Sequence, residues 1–336
     1  MNHHDNSTCP LTPEQVAAQV GVEPTNTAAS RFYRRAASFW FTRLLAFFQL
    51  LDPISIPNSF VNLQCMWWKA ISGNDKRSSL CDYGLAYDLL PPISRWIVAP
   101  PLVPLYPRFH HANVELRTKY LDNVMDILVQ QVQAQQGRKK LCLVSLGCGY
   151  DVRSLRMALR YSSNNNNNND TLLLDFVEMD LPQVLQAKQN LLQKRLVKRR
   201  PNLTTLVNRV RMVDVDLTNM TQVTEALNVA LSMYQDSDTS TSWTIVFVIE
   251  AVLIYLPHDI QTQLLSTLSQ ALVQRQIRHG ALCFADTLPN IVANSSMAEA
   301  KQELEQHGWD LQGWIPKPGR TRHLGWATLS NQQRTR

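Results

Sequence analysis

Charge is scarce in this chain of 336 residues: Asp, Glu, Lys and Arg together make up only 18% of it, beside 45% hydrophobic residues. That balance excludes a charge-rich disordered protein. Glycine is sparse too, with 11 residues against 17 prolines, which excludes a collagen-like repeat or a Gly/Ser linker. No long hydrophobic run is present. The most apolar stretch, Phe39 to Leu51, is short and broken by Arg43, and it falls below the roughly 18 apolar residues that span a bilayer. A buried or interfacial helix explains it, and no membrane partner is expected. The six cysteines, Cys9, Cys65, Cys81, Cys142, Cys148 and Cys283, include no CxxC pair and no zinc-like pairing with histidine. They read as reduced, mostly buried thiols with no metal site. Asp5, Glu14 and Glu23 make the N-terminus unlike a secretory signal or an acidic-poor transit peptide. The expectation is a soluble, cytoplasmic protein.

What charge there is falls unevenly. Lys and Arg number 33 against 27 Asp and Glu, a net charge of +6. Lys188, Lys194, Arg195, Lys198, Arg199 and Arg200 crowd one segment, with Arg209 and Arg211 close behind. Such a run either attracts nucleic acid or an acidic partner, or forms the solvated face of a helix.

The chain divides into a polar, disordered N-terminus over 1–27, a helical lid over 28–111 and an α/β domain over 112–330. In the second part, helices are expected between proline-rich turns. Pro91, Pro92, Pro100, Pro101, Pro104 and Pro107 argue against regular structure over much of 90–108. A helix is predicted at Ala112 to Gln135 on the spacing of Leu116, Tyr120, Val124, Ile127 and Leu128. Short apolar runs then alternate with helical patterns. Strands are predicted at Lys140 to Leu146, Leu172 to Glu178, Val210 to Val215, Thr244 to Ile249 and Ala281 to Ala285. Between and after them come helices near Val152 to Tyr161, Pro182 to Lys198, Met220 to Tyr234, Pro257 to Gln274 and Ser296 to His307. This rhythm argues for a doubly wound parallel sheet with ligands at the carboxyl ends of its strands. Two short strands around Pro316-Lys317-Pro318-Gly319 suit an antiparallel hairpin that closes the sheet. The asparagine run Asn164 to Asn169 reads as a loop insertion.

Chemistry concentrates at the ends of those strands. The first runs into Gly147-Cys148-Gly149-Tyr150-Asp151, a loop in which glycine permits a sharp turn and close approach of backbone to ligand. Val152 stands where a dinucleotide fingerprint has its third glycine, which disfavours NAD. The second ends at Glu178-Met179-Asp180, where a carboxylate can take both hydroxyls of a ribose. Asp180 also precedes Leu181-Pro182 and reads equally as a helix N-cap. The third ends at Asp214-Val215-Asp216-Leu217, suited to an adenine amino group, and the fourth at Glu250 and the segment through Tyr255.

The segments VSLGCGYDVRSLRM, DFVEMDLPQV, VDVDLTN and IEAVLIYLPHD, in this order, resemble the leucine carboxyl methyltransferase family. The resemblance runs from about Leu116 to Leu329. It implies a class I methyltransferase, a Rossmann-like seven-stranded sheet with a C-terminal antiparallel hairpin and a helical N-terminal lid. It implies S-adenosyl-L-methionine as cofactor, with Gly147 and Gly149 beside its methionine moiety and Asp180 on its ribose, Glu178 sharing that task. Asp216 and Leu217 then flank the adenine, Glu250 stands near the amino group with Tyr255 matching the cofactor-binding tyrosine that follows it, and Arg117 pairs with the carboxylate. Tyr255 is also a catalytic candidate, as are Arg34 and Arg35. The family's substrate-side lysine has no clear match; Arg34 and Arg35 are the candidates.

The implied reaction is O-methylation, with a carboxylate on a protein C-terminus or a small molecule as the default acceptor. An ionised carboxylate needs a cationic clamp rather than a base, and Arg34, Arg35, Arg95 or Arg108 can supply one. A hydroxyl acceptor would make His110 or His111 candidate bases. The family also holds a wybutosine-type RNA methyltransferase, so an RNA acceptor is the alternative, with a non-catalytic cofactor-binding module behind it.

Overall fold

The computed structural model describes residues 60–75, 84–97, 108–134, 140–162, 172–234, 243–292, 294–316 and 322–330. Among these, seven strands form one sheet: β1 (Lys140–Leu146), β2 (Leu173–Asp180), β3 (Arg211–Asp214), β4 (Trp243–Glu250), β5 (His279–Asp286), β6 (Trp309–Ile315) and β7 (His323–Leu329). Their order is β3-β2-β1-β4-β5-β7-β6. β1 to β5 are parallel, and β7 runs antiparallel to both β5 and β6. This is the sheet that the sequence resemblance implied.

Alternation along the strands divides the core into two layers, because successive side chains leave a strand on opposite faces. Leu141 and Leu143 of β1 join one layer, while Cys142, Val144 and Leu146 join the other. The first layer packs under α1 (Phe60–Asn74), α2 (Leu85–Leu89), α4 (Arg108–Ala134), α5 (Arg153–Ser162), α6 (Pro182–Leu191) and α7 (Thr204–Arg209). The second packs under α8 (Met220–Leu231), α9 (His258–Gln274) and α10 (Met297–Gln306). Trp67 on α1 is fully buried, and truncating such a side chain costs about 3–5 kcal/mol. Two helix starts are written in the sequence. Ser296 and Glu299 form a reciprocal capping box on α10, and Asn219 accepts the amides of Thr221 and Gln222 on α8.

Three sequence expectations need correction. Pro91 and Pro92 do not abolish regular structure: α3 (Pro92–Ile97) begins at Pro92, since proline's fixed φ suits a first helical turn. Helix α8 stops at Leu231, short of Tyr234. Tyr234 turns back into the core, meets Trp243 edge-on at 4.6 Å between ring centroids and hydrogen-bonds Asp175. The basic run is neither a free patch nor a simple solvated face. α6 continues as a π turn over Leu192–Val197, and its cations are largely spent inside the molecule. Lys188 is buried against Glu178 Oε2 at 2.7 Å. Arg195 donates to the Leu89 carbonyl at 2.9 Å, and Arg199 and Arg200 close on the Asp88 carboxylate at 2.7 and 2.6 Å. Lys194 and Lys198 stay exposed. The run is thus a docking surface for α2, which packs on α1. Among the described residues, no helix is long and apolar enough to cross a membrane.

Candidate active site

The strand ends are brought level by register. Leu146 of β1 stands opposite Met179 of β2 and Ile249 of β4, so the segments after all three leave the sheet on one edge. β1 and β4 are the neighbours between which the strand order reverses, the position where open α/β sheets bind ligands. A cavity of about 590 Å³ lies there, lined by Arg117, Gly147, Gly149, Asp180, Asp216, Leu217, Glu250 and Tyr255, as well as by Lys69, Asp151, Arg153 and Arg322. Its size is that of a small-molecule site.

The glycines have physical reasons. Gly147 and Gly149 hold φ of 57° and 49°, the left-handed region that side chains disfavour. A Cβ on Gly147 would lie 2.6 Å from Val252 Cγ2, and one on Gly149 2.7 Å from Asn62 Oδ1. Asp180 is not the helix N-cap: that position is Leu181, with no side-chain cap bond. Instead Asp180 accepts the Gly149 amide at 2.7 Å and the Leu181 amide at 2.8 Å. Burial pushes its pKa above the ordinary value, against the lowering effect of those amides and of Lys188. Glu178 does not share its position. It is 3% exposed, bound to Lys188 and Ser154, and does not line the cavity. Asp216 caps its own turn through the Thr218 amide and hydroxyl, at 2.9 and 2.7 Å.

Glu250 is the electrostatic centre. Arg153 reaches its Oε2 at 2.6 Å, Lys69 the same oxygen at 3.3 Å and Arg117 its Oε1 at 3.5 Å. Burial alone would raise its pKa, but Lys69, Arg153 and Arg117 overcome that and hold it at about 2. Asp151 is drawn well below the usual carboxylate range by Lys69 and Arg153, again against burial. Arg117 belongs to α4 yet is 9% exposed, and its Nε is held by the ion pair with Glu250 rather than by a hydrogen bond. Beyond Glu250 the chain turns through Ala251, at φ 54°, into a short 3-10 turn over Leu253–Tyr255. Asp286, at the end of β5, accepts the amides of Val252 and Leu253 at 2.5 and 2.8 Å and that of Ile254 at 3.3 Å. Tyr255 projects from this turn, 61% exposed. Its partial burial raises its pKa.

Some sequence candidates do not join this group. Arg95 lies among Tyr87, Asp88, Arg195 and Arg199 rather than on the cavity. Arg34 and Arg35 lie outside the described residues, as do the side chains of Arg108, His110 and His111. Other residues were missed. Lys69 has no signature in WWKAIS, because only the packing of α1 places it. Arg322 sits in a tail read as a hairpin, and Asp286 at the end of a strand read as ending at Ala285. Among the described residues, no group of three or more His, Cys, Asp or Glu could hold a metal ion.

A leucine carboxyl methyltransferase family model matches residues 63–269, more than half of the chain. The chain belongs to that family. Its members are S-adenosylmethionine-dependent methyltransferases. No curated protein matches it in sequence. Solved structures with likeness include magnesium protoporphyrin IX methyltransferase from Synechocystis with bound S-adenosylmethionine, at 15% identity. That match covers 67% of this chain and 86% of that one, with a TM-score of 0.39. The pyocyanin biosynthetic protein PhzM matches at 13% identity over 69% and 59%, TM-score 0.36. LepI in complex with S-adenosylmethionine matches at 12% over 60% of this chain, TM-score 0.37; the chain spans less than half of LepI, 46%.

Proposed function

We propose that this protein is an S-adenosylmethionine-dependent O-methyltransferase whose acceptor is a carboxylate, on a protein C-terminus or a small molecule. The observation that carries the reading is the convergence of four strand ends, with their acids and glycines, on one cavity also lined by buried cations. The cavity's chemistry suits the cofactor. The glycine loop makes a cradle that a Cβ would fill, and Lys69, Arg117 and Arg153 bring buried cations to the same wall. In this reading Asp180 takes the ribose hydroxyls, with Asp216 and Leu217 about the adenine. Glu250 takes the amino group with Tyr255 near it, and Arg117 and Lys69 take the carboxylate.

When bound, the cofactor supplies an activated methyl group, which an acceptor oxygen takes as the carbon–sulfur bond breaks with its electron pair left on sulfur. The chain's task is to align the acceptor and exclude water. A carboxylate acceptor asks for no base, and this fits the lining. Among the described lining residues there is no histidine, Glu250 and Asp151 are held ionised by cations, and Tyr255 keeps its proton at neutral pH. The RNA alternative loses its main support, because Arg195, Arg199 and Arg200 are committed to α2. Cys65, Cys142, Cys148 and Cys283 are free thiols, which suits a reducing, cytoplasmic setting.

The test is calorimetric titration of the protein and of Asp180→Ala and Gly147→Val with S-adenosylmethionine and S-adenosylhomocysteine. A screen with labelled methyl groups follows, starting with peptides ending in leucine and then tRNA. Binding that both variants lose, followed by label in a base-labile ester, is the expected result. Wild type that binds neither ligand at millimolar concentration would falsify the enzyme reading.

A further inference from the structure

We propose that Arg322 is the residue that receives the acceptor's carboxylate, beside Tyr255 on the cavity wall; this rests on the methyltransferase reading above. The sheet itself brings the two residues together. His323, the first residue of β7, pairs with Asp286, the last of β5, so Arg322 emerges at the ligand-bearing edge although β7 runs antiparallel. Asp286 also holds the amides of Val252, Leu253 and Ile254, which fixes the turn carrying Tyr255 at the same corner. Both side chains line the cavity, and Arg322 lies near enough for its charge to act on the Tyr255 hydroxyl.

Charge accounting separates Arg322 from the other cations. Lys69 faces Asp151 and Glu250; Arg117 faces Glu250; Arg153 faces Asp151, Glu250 and Asp122. Arg322 has no hydrogen bond or ion pair among the described residues, and its Nε is buried without a partner. A guanidinium nitrogen kept from water with nothing to donate to is an unfavourable arrangement that an incoming anion relieves. Its planar fork matches a carboxylate in two parallel hydrogen bonds. With Arg117 and Lys69 assigned to the cofactor's own carboxylate, a second carboxylate in the same cavity needs a separate cation, and Arg322 supplies it. Tyr255, protonated and half open to solvent, stands beside it as a donor to the same group.

The experiment titrates N-acetyl-leucine, a hexapeptide ending in leucine, and benzoate, each against its amide, into the full chain saturated with S-adenosylhomocysteine. Wild type is expected to bind at least one carboxylate about tenfold or more tightly than its amide. Arg322→Gln is expected to abolish that preference while its affinity for S-adenosylhomocysteine changes less than about threefold. A preference retained by Arg322→Gln, or none in wild type across the panel, overturns the proposal. If Arg322→Gln fails to fold, the native chain answers through phenylglyoxal labelling read by mass spectrometry. The carboxylate, and not its amide, should protect Arg322, and equal labelling with both overturns the proposal. Wild type that fails to bind S-adenosylhomocysteine overturns the methyltransferase reading instead, and that result is visible before any carboxylate is added.

Discussion

The backbone amide of Gly149 donates to Asp180 Oδ2 at 2.7 Å, so the loop after β1 and the acid that ends β2 are held as one unit. Replacing Asp180 therefore does two things at once. It removes the acceptor assigned to the ribose and leaves the Gly149 and Leu181 amides unpaired. Asp180→Ala should lower S-adenosylhomocysteine affinity by about 100-fold or more, the worth of two charge-assisted hydrogen bonds. Calorimetry beside a circular-dichroism melt checks this; near-native affinity in a folded variant would remove Asp180 from the site.

Gly147 gives a sharper steric test. Alanine there must adopt φ near 57° and place a Cβ 2.6 Å from Val252. The left-handed backbone alone costs about 1–2 kcal/mol, and the contact with a branched, buried side chain adds to it. Urea denaturation of Gly147→Ala should show at least that loss, and Val252→Ala in the same chain should recover part of it. Full stability in the single variant would contradict the close approach.

Acid should act on Glu250 and Asp180 in different ranges. The Glu250 pKa is depressed to about 2 in the folded protein, so its contribution to stability is complete above the ordinary glutamate range near 4.5 and disappears only as pH falls toward 2. Asp180 has the opposite sign. Burial raises its pKa, so its charge is a cost of folding at neutral pH that protonation relieves, while cofactor affinity is lost with the same proton. S-adenosylhomocysteine binding should therefore weaken at a higher pH than a free aspartate would titrate, while Glu250 is still ionised. Glu250→Gln should destabilise the chain at pH 7 by about 3–5 kcal/mol, the usual result of breaking a buried pair, with the deficit shrinking below pH 4.5. Melts of both chains between pH 7 and 3 decide it; a deficit independent of pH would mean that Glu250 acts through packing.

A fourth expectation concerns α2. Asp88 joins it to Arg199 and Arg200. Both arginines are partly solvent-exposed, so Asp88→Asn should cost only about 1–2 kcal/mol, with a loss that salt reduces. Because α2 packs on α1, which carries Lys69, a modest weakening of cofactor binding should accompany it. Lys194→Ala with Lys198→Ala should alter neither quantity. RNA binding abolished by that pair would restore the nucleic-acid reading.

The sequence was most legible where chemistry and local structure coincide. Gly147, Asp180, Asp216 and Glu250 each end a strand or lie within two residues of its end, so finding the strands found the cavity edge. Legibility failed where a residue's place depends on packing between distant elements. Lys69 is one more helical lysine until α1 packs beside the glycine loop and aims it at Glu250. The basic run looked like a surface because nothing local reveals that Asp88, about 110 positions earlier, accepts two of its arginines. Arg322 looked like part of a turn because its neighbourhood is set by where β7 slots into the sheet.

That slot has a consequence for the chain as it leaves the ribosome. β7 follows β6 in sequence but lies between β5 and β6 in the sheet, and among the described residues β6 pairs with no other strand. When residues 309–315 emerge, their future neighbour does not yet exist, and the outer edge of β5 remains open. Exposed strand edges invite wrong partners. Synthesis of residues 323–329 ends that interval in one event, inserting the missing strand, capturing β6 and bringing Arg322 to its corner. A translational pause between these two strands would lengthen the nascent chain's exposure to aggregation while leaving the finished fold unchanged.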